Sequence, residues 1–96
     1  MFRRMMHIQI EEPSPAHLTR MKAVLEATSA EIDGVVSSVV HDALPLNNSP
    51  YTLVWETVFK DQAALDHYRD HPYHTGPIRD VFTEVKFQTA SAFVAQ

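Results

Sequence analysis

Residues 51–59, YTLVWETVF, are the stretch of sequence that decides the fold. β-Branched and aromatic residues dominate this stretch, which is typical of a β-strand. Side chains alternate between the two faces of a strand, and here both faces are largely apolar, with Glu56 as the exception. Such a strand is expected inside a sheet that is covered on both faces.

Three other segments predict strands that pair with this one. Residues 5–11 alternate with period two: Met6, Ile8 and Ile10 form one face, and Met5, His7 and Gln9 form the other. Residues 35–40 are rich in valine, and residues 85–94 predict the last strand. Residues 42–50 contain two prolines and two asparagines and predict an exposed loop.

Two helices are predicted between the strands. Ser14 is a suitable N-cap, with Pro15 at the first position of a helix of about 15 residues. Its apolar face consists of Leu18, Met21, Leu25 and Thr28. Gly34 suits the turn that follows.

Asp61 can cap the second helix, in which Ala64, Leu65 and Tyr68 share one face. Pro72 disfavours helical geometry at the preceding residue, so this helix is expected to end near His71. A short helical turn is predicted over residues 78–81.

The predicted element order is β-α-β-β-α-β in a single domain, residues 1–96. This order is that of the ferredoxin-like α+β fold, a four-stranded antiparallel sheet with both helices on one face. The helices leave the other face uncovered, although the strand at 51–59 is apolar on both sides. We therefore expect a homodimer that packs sheet against sheet through the open face, a dimeric α/β barrel.

Composition excludes several classes of protein. The chain is 45% hydrophobic and 21% charged, as expected for a globular protein, and its net charge of −4 with no basic stripe argues against a nucleic-acid partner. It has no cysteine, which excludes disulfides, thiolate metal sites and a cysteine nucleophile. No apolar run approaches the roughly 20 residues of a membrane span, and no signal peptide is recognisable, so a cytoplasmic location is expected.

Residues 68–74, YRDHPYH, are the best candidates for chemistry. Tyr68 and His71 are neighbours on a helix surface, and the break at Pro72 lets His74 turn back toward the crevice between helix and sheet. An imidazole transfers protons near neutral pH, and a phenol can donate a hydrogen bond to an oxyanion. These groups predict a proton-transfer site.

Four residues, His7, Leu53, Trp55 and His71, are predicted to bind a small molecule in the same crevice. His7 lies on a strand beside it, and Leu53 and Trp55 would form an apolar wall. Structural roles compete with these assignments. Tyr68 and Trp55 could be core residues, and His71 could cap a turn. His17 and His41 are expected on the surface.

No metal or other cofactor is predicted. His67 and His71 have the i, i+4 spacing that two imidazole ligands need, but Pro72 breaks the helix that would align a third. No serine occupies a Gly-x-Ser-x-Gly turn, and two glycines cannot form a phosphate-binding loop.

The sequence resembles the stress-responsive dimeric A/B barrel (Dabb) family. The resemblance covers nearly the whole chain: His7-Ile8 is similar to the family's first strand, and residues 51–59 are similar to its third. Its most specific part is residues 64–74, ALDHYRDHPYH, in which a tyrosine precedes His-Pro-x-His.

The resemblance implies a fold and candidate roles for the motif residues. In a plant polyketide cyclase of the family, the motif's tyrosine and last histidine are the catalytic pair, which here are Tyr68 and His74. By that likeness His74 would remove a proton next to a carbonyl and Tyr68 would hydrogen-bond the oxyanion. Four residues depart from the family pattern: Leu53 replaces a histidine of that cyclase, Trp55 is bulkier, Tyr73 stands at a position that is usually small, and Pro77 interrupts a helical segment.

Three hypotheses follow for the function. The first is a cofactor-independent cyclase- or lyase-type enzyme acting on a small, mostly apolar, carbonyl-bearing molecule. The second is a non-catalytic, stress-responsive dimeric protein that binds a small molecule. The third is a cofactor-free monooxygenase or isomerase on the same barrel. A cavity that joins Tyr68, His74 and Trp55 would favour a small-molecule site over a crevice filled by side chains.

Overall fold

The computed structural model describes residues 1–12, 14–44 and 50–94. The strands are β1 (Phe2–Ile10), β2 (Val35–Asp42), β3 (Leu53–Phe59) and β4 (Val85–Val94). The helices are α1 (Pro15–Glu26), α2 (Thr28–Glu31), α3 (Gln62–Asp70) and α4 (Arg79–Val81), with a π-helical segment at His74–Ile78. Most of the predicted loop at 42–50 lies outside the described residues.

The four strands form one sheet in the order β2-β3-β1-β4. Every neighbouring pair is antiparallel, and β1 lies in the interior between β3 and β4. Met6 on β1 is opposite Trp55 on β3 and Ala90 on β4, which fixes the register across the sheet. The predicted ferredoxin-like α+β fold is confirmed.

The first helix begins where the sequence predicts and ends earlier than expected. Ser14 Oγ accepts a hydrogen bond from the His17 N–H at 3.1 Å, and Pro15 is the first helical residue. The predicted 15 residues are divided between α1, with 12 residues, and the single turn α2. Met21, Leu25 and Thr28 are all fully buried, as their helical spacing predicts.

The second helix has the predicted cap and end. The Asp61 carboxylate accepts from the Ala64 N–H at 2.9 Å, and α3 ends at His71, which is extended at φ −69° and ψ 138°. The chain beyond was predicted to be interrupted at Pro77, but residues 74–81 are helical throughout. Pro77 lies inside the π-helical part, because proline has no N–H for an α-helical bond to the carbonyl four residues earlier.

The core lies between the helices and one face of the sheet. Ile8, Leu53 and Phe59 have no exposed surface there, and Trp55 is 1% exposed. Gly34 precedes β2 with φ +91°, and a Cβ at this position would lie 2.7 Å from the Cβ of Ala64. A glycine is therefore required both for the turn and for the close approach of α3.

One histidine lies where the sequence did not predict it. His17 was expected on the surface but is 7% exposed, and its Nδ1 is 3.3 Å from a carboxylate oxygen of Glu84. α1 packs against α4, and Glu84, which follows α4, lies beside this side chain. His41 is exposed, as predicted. No helix in the described ranges is long and apolar enough to cross a membrane.

Candidate functional site

A cavity of about 210 Å³ opens between the helix-covered face of the sheet and the segment that follows α3. The sheet, the end of α3 and the helical segment 74–81 with the residue after it all contribute side chains. Those that line the cavity are Arg4, Met6, Trp55, Tyr68, His74, Ile78, Arg79, Phe82 and Gln88. The cavity therefore joins Tyr68, His74 and Trp55, the three residues expected to share it.

Tyr68 presents its hydroxyl to the cavity from the buried face of α3. The residue is 1% exposed, and its Oη accepts a hydrogen bond from Arg4 Nη2 at 3.0 Å. Burial raises the pKa of Tyr68 above its ordinary value, and the charge and hydrogen bond of Arg4 oppose that rise only in part. Tyr68 is therefore neutral at physiological pH, and its proton is available for donation.

His74 is the first residue of the π-helical segment, and a backbone contact orients its ring. Its Nδ1 lies 2.9 Å from the carbonyl oxygen of Arg69. Because a carbonyl can only accept, this contact assigns the proton to Nδ1 and leaves the lone pair on Nε2. The ring centroid is 4.4 Å from that of Tyr68, so the two groups are immediate neighbours.

Trp55 is held rigidly in the wall of the cavity. Its Nε1–H donates to Ser38 Oγ at 2.8 Å, and that hydroxyl donates to the Leu25 carbonyl at 2.6 Å, near the end of α1. The indole is therefore both a core side chain and a wall of the cavity, and its ring centroid is 6.2 Å from that of Phe82.

Arg4, like Arg79, is a cavity residue that was not predicted from the sequence. Its guanidinium carbon lies 4.8 Å from the Trp55 ring centroid, 4.9 Å from that of Tyr68 and 5.8 Å from that of Phe59. The signal was present in the sequence, since the alternation that places Met6 and Ile8 on the helix-covered face also places Arg4 there.

Tyr73 fixes the position of the histidine-containing turn. Its hydroxyl donates to the Val24 carbonyl at 2.6 Å and so attaches the chain after Pro72 to α1. Burial, with a smaller contribution from Glu31, raises the pKa of Tyr73. The large side chain at this position therefore acts as an anchor outside the cavity.

Three of the predicted binding residues are not brought to the cavity. His7 lies on the opposite, open face of the sheet, with its ring 5.4 Å from that of Tyr51, because it is one residue out of phase with Met6 and Ile8. Leu53 is on the covered face but is fully buried in the core. His71 Nδ1 accepts a hydrogen bond from the Tyr73 N–H at 3.0 Å. This contact is the structural role that the sequence also allowed for His71, capping of a turn.

The two histidines with metal-ligand spacing do not line the cavity. His67 and His71 have ring centroids 5.5 Å apart, close to the surface. Throughout the described parts of the chain, no group of three or more histidine, cysteine or acidic residues could hold a metal ion.

Comparison with known proteins identifies the family. The profile of the stress-responsive A/B barrel domain (Dabb) matches residues 3–91. The chain belongs to the Dabb family. No curated protein matches this Dabb chain by sequence.

Several solved structures have the same fold as this chain. A Dabb family protein from Mesorhizobium loti has a TM-score of 0.84 at 23% identity, covering 99% of this chain and 96% of that chain. Hydroxynitrile lyase from Passiflora edulis has a TM-score of 0.86 at 11% identity, covering 99% and 93%. A dimeric ferredoxin-like protein of unknown function from Thermobifida fusca has a TM-score of 0.82 at 16% identity, covering 98% and 90%. At these identities the likeness shows the fold alone.

Proposed function

We propose that this Dabb domain binds a small carbonyl-bearing molecule in the cavity and moves a proton on it without a cofactor, as a cyclase- or lyase-type enzyme. His74 is the general base and Tyr68 the hydrogen-bond donor. The observation that carries the proposal is that the two groups share one cavity, with His74 Nδ1 held by the Arg69 carbonyl. The nitrogen left with a lone pair is then Nε2.

The proposed chemistry begins with removal of a proton from the carbon next to the carbonyl. His74 Nε2 takes the proton, the C–H electron pair moves into the carbonyl system, and an enolate forms. The Tyr68 O–H donates to the enolate oxygen, while Arg4, 3.0 Å from that hydroxyl, stabilises the negative charge beside it. The imidazolium then returns its proton to the intermediate or to a leaving group.

The size of the cavity limits the substrate. An engineered cavity of about 150 Å³ takes up benzene, so 210 Å³ has room for one ring with a short substituent. Trp55 and Phe82 supply flat apolar walls for such a ring. A long polyketide chain does not fit this volume, so we propose a smaller substrate than the plant cyclase uses.

Proton exchange tests the chemistry with simple carbonyl compounds in place of the natural substrate. Aryl methyl ketones and small β-dicarbonyl compounds are incubated with the protein in D₂O, and loss of the α-proton signal is followed by NMR. The wild-type protein is expected to accelerate exchange, and His74→Ala is expected to lose about 10²–10⁴-fold of that acceleration.

His67→Ala is the matched control, since His67 is an exposed histidine on α3 outside the cavity. An unchanged rate in His74→Ala, or an equal loss in His67→Ala, would remove His74 from the mechanism. Saturable binding without any exchange would instead favour the non-catalytic binding protein. Oxygen consumption with a phenolic or quinol substrate would favour the monooxygenase.

We also propose that the domain works as a homodimer joined through the open face of the sheet. This face exposes apolar side chains, among them Val39 at 36% and Phe93 at 47% exposure. Large apolar side chains grouped on one face are a common mark of a protein interface. The structure from Thermobifida fusca with the same fold is described as dimeric, which supports this assembly.

Sedimentation at micromolar concentration tests the assembly. The wild-type protein is expected to sediment as a dimer and Val39→Glu as a monomer, because the charge would be buried against the partner. Lys60→Glu, an exposed change just after β3, is the control and should remain dimeric. A stable wild-type monomer would contradict the proposal.

A further inference from the structure

We propose that the cavity selects an anionic ligand, a small carboxylate on an apolar body of about one ring, which Arg4 and Arg79 recognise. This inference rests on the proposed function, because it places the ligand in the same cavity. It adds the chemical class of the substrate. Together the two proposals describe a small keto acid.

Among the described residues, Arg4 has no counter-ion. Its guanidinium contacts three aromatic rings and one phenol oxygen, and within the described residues no carboxylate lies within 4.0 Å of it. Arg4 Nε is buried without a hydrogen-bond partner, as is the Oγ1 of Thr57, which is opposite Arg4 in the sheet. An arginine that is partly buried in this way usually has an acidic partner. A ligand carboxylate would be that partner.

A second arginine lies at the same cavity. Arg79, on the helical turn that follows the π-helical segment, is exposed and lines the cavity, and it has no ion-pair partner in the parts of the chain that the structure describes. None of the residues that line the cavity is acidic. A chain with a net charge of −4 therefore forms a cavity whose charged groups are both positive.

The shape and walls of the cavity favour a carboxylate over a phosphate. A guanidinium presents parallel N–H groups that match the two oxygens of a planar carboxylate. A monoanion also costs less to transfer from water than a dianionic phosphate, and much of the wall is apolar. Trp55, Ile78 and Phe82 would then hold the ring.

Fluorescence of Trp55 provides a direct readout, because it is the only tryptophan in the chain and lines the cavity. Benzoate and benzamide are titrated against the protein with excitation at the red edge of the indole band. They have nearly the same shape and differ in charge. Benzoate is expected to bind about tenfold tighter or more, and the preference should fall as salt is added.

Arginine variants test which residues cause the preference for benzoate over benzamide. Arg79→Met is expected to reduce the benzoate-to-benzamide ratio several-fold, and Arg4→Met to abolish it, while Arg20→Met on the exposed side of α1 leaves it unchanged. Arg4→Lys keeps the charge without the paired N–H groups and is expected to retain only part of the preference. Because Arg79 is exposed, its variant tests the proposal even if Arg4→Met fails to fold.

The outcomes separate this proposal from the proposed function. Equal affinities of the wild-type protein for benzoate and benzamide would overturn the anion preference, whatever the exchange assay shows. Tighter binding of phenyl phosphate than of benzoate would overturn the choice of carboxylate. A strong benzoate preference in a protein that catalyses no α-proton exchange would support the anion site and overturn the catalytic role.

Discussion

Arg3 and Arg4 are adjacent in the sequence and have opposite surroundings. Arg3 is on the open face of the sheet, where its Nη1 lies 3.4 Å from a Glu56 carboxylate oxygen and its side chain is 40% exposed. Arg4 is on the helix-covered face, among the rings of Trp55, Phe59 and Tyr68. Arg3 has an acidic partner, whereas Arg4, which is also partly exposed, has none among the described residues.

The two faces of this sheet therefore differ in the surroundings that they give to charged side chains. The open face pairs its charges and exposes apolar side chains such as Val39, as a surface that meets another protein does. The covered face has a packed core, interrupted by a cavity with an unpaired cation. Charges without partners tend to occur in proteins where a ligand or a reaction requires them.

The largest expected effect comes from truncating the covered face. Leu53 is fully buried there, and Leu53→Ala is expected to lower the free energy of unfolding by about 2–5 kcal/mol. Val54, the next residue, is on the open face and only partly buried. Val54→Ala is expected to cost about 1 kcal/mol or less in the monomer. Urea denaturation measures both changes.

The dependence of these two costs on protein concentration tests whether a dimer covers the open face. If a dimer covers the open face, the free-energy cost of Val54→Ala relative to wild type should rise with protein concentration. The cost of Leu53→Ala relative to wild type should stay the same at every concentration. Equal costs at every concentration would mean that the two faces are buried alike in one protomer, contrary to the structure.

Replacing Arg4 should separate stability from binding. Arg4→Met removes an unpaired, partly buried cation and leaves an apolar side chain of similar length, so the free energy of unfolding is expected to stay within about 1 kcal/mol of wild type or to rise. The preference for benzoate over benzamide should be lost in the same variant. A loss of more than about 2 kcal/mol in denaturation would show that the contacts of Arg4 with the three rings are mainly structural.

The ionisation of Tyr68 reports on the covered face in alkaline solution. Burial raises its pKa above the ordinary value of 10.0, so above about pH 10 the folded protein retains a proton that the unfolded chain releases. The free energy of unfolding is therefore expected to fall as pH rises from about 10 to the folded pKa. Tyr68→Phe should make this decline shallower, as measured by denaturation at several pH values.

Arg4→Met provides the opposite change for the same experiment. The charge of Arg4 lowers the pKa of Tyr68, so its removal should extend the decline to higher pH. A decline of the same slope in wild type, Tyr68→Phe and Arg4→Met would mean that Tyr68 titrates as it does in the unfolded chain.

Much of the fold could be predicted because local signals agreed with one another. Ser14, Asp61 and Gly34 each mark an element boundary through a cap or a turn that depends on a few neighbouring residues. The helical segment around Pro77 was predicted less well. The π-helical geometry depends on how the segment packs on α1 and α3, which sequence spacing does not contain.

The site was predicted less completely than the fold. His7 was expected in the cavity and Arg4 was overlooked, although period two places Arg4, and not His7, on the same face as Met6. The volume of the cavity depends on tertiary packing, and the tautomer of His74 depends on its contact with the Arg69 carbonyl. The motif residues Tyr68 and His74 could be found because Pro72 sets the turn between them.

The smallest expected effect concerns the ion pair on the open face. Arg3 and Glu56 are both partly exposed, so solvent screens their attraction, and such pairs contribute about 0–1 kcal/mol. A double-mutant cycle with Arg3→Met and Glu56→Gln should give a coupling energy in this range that decreases with added salt. A coupling above about 1.5 kcal/mol that is insensitive to salt would mean that the pair is shielded from water in the protein as it exists in solution. Because the single protomer leaves this face open, the shielding would have to come from a second copy. The same cycle in a monomeric variant such as Val39→Glu would then return to the lower value.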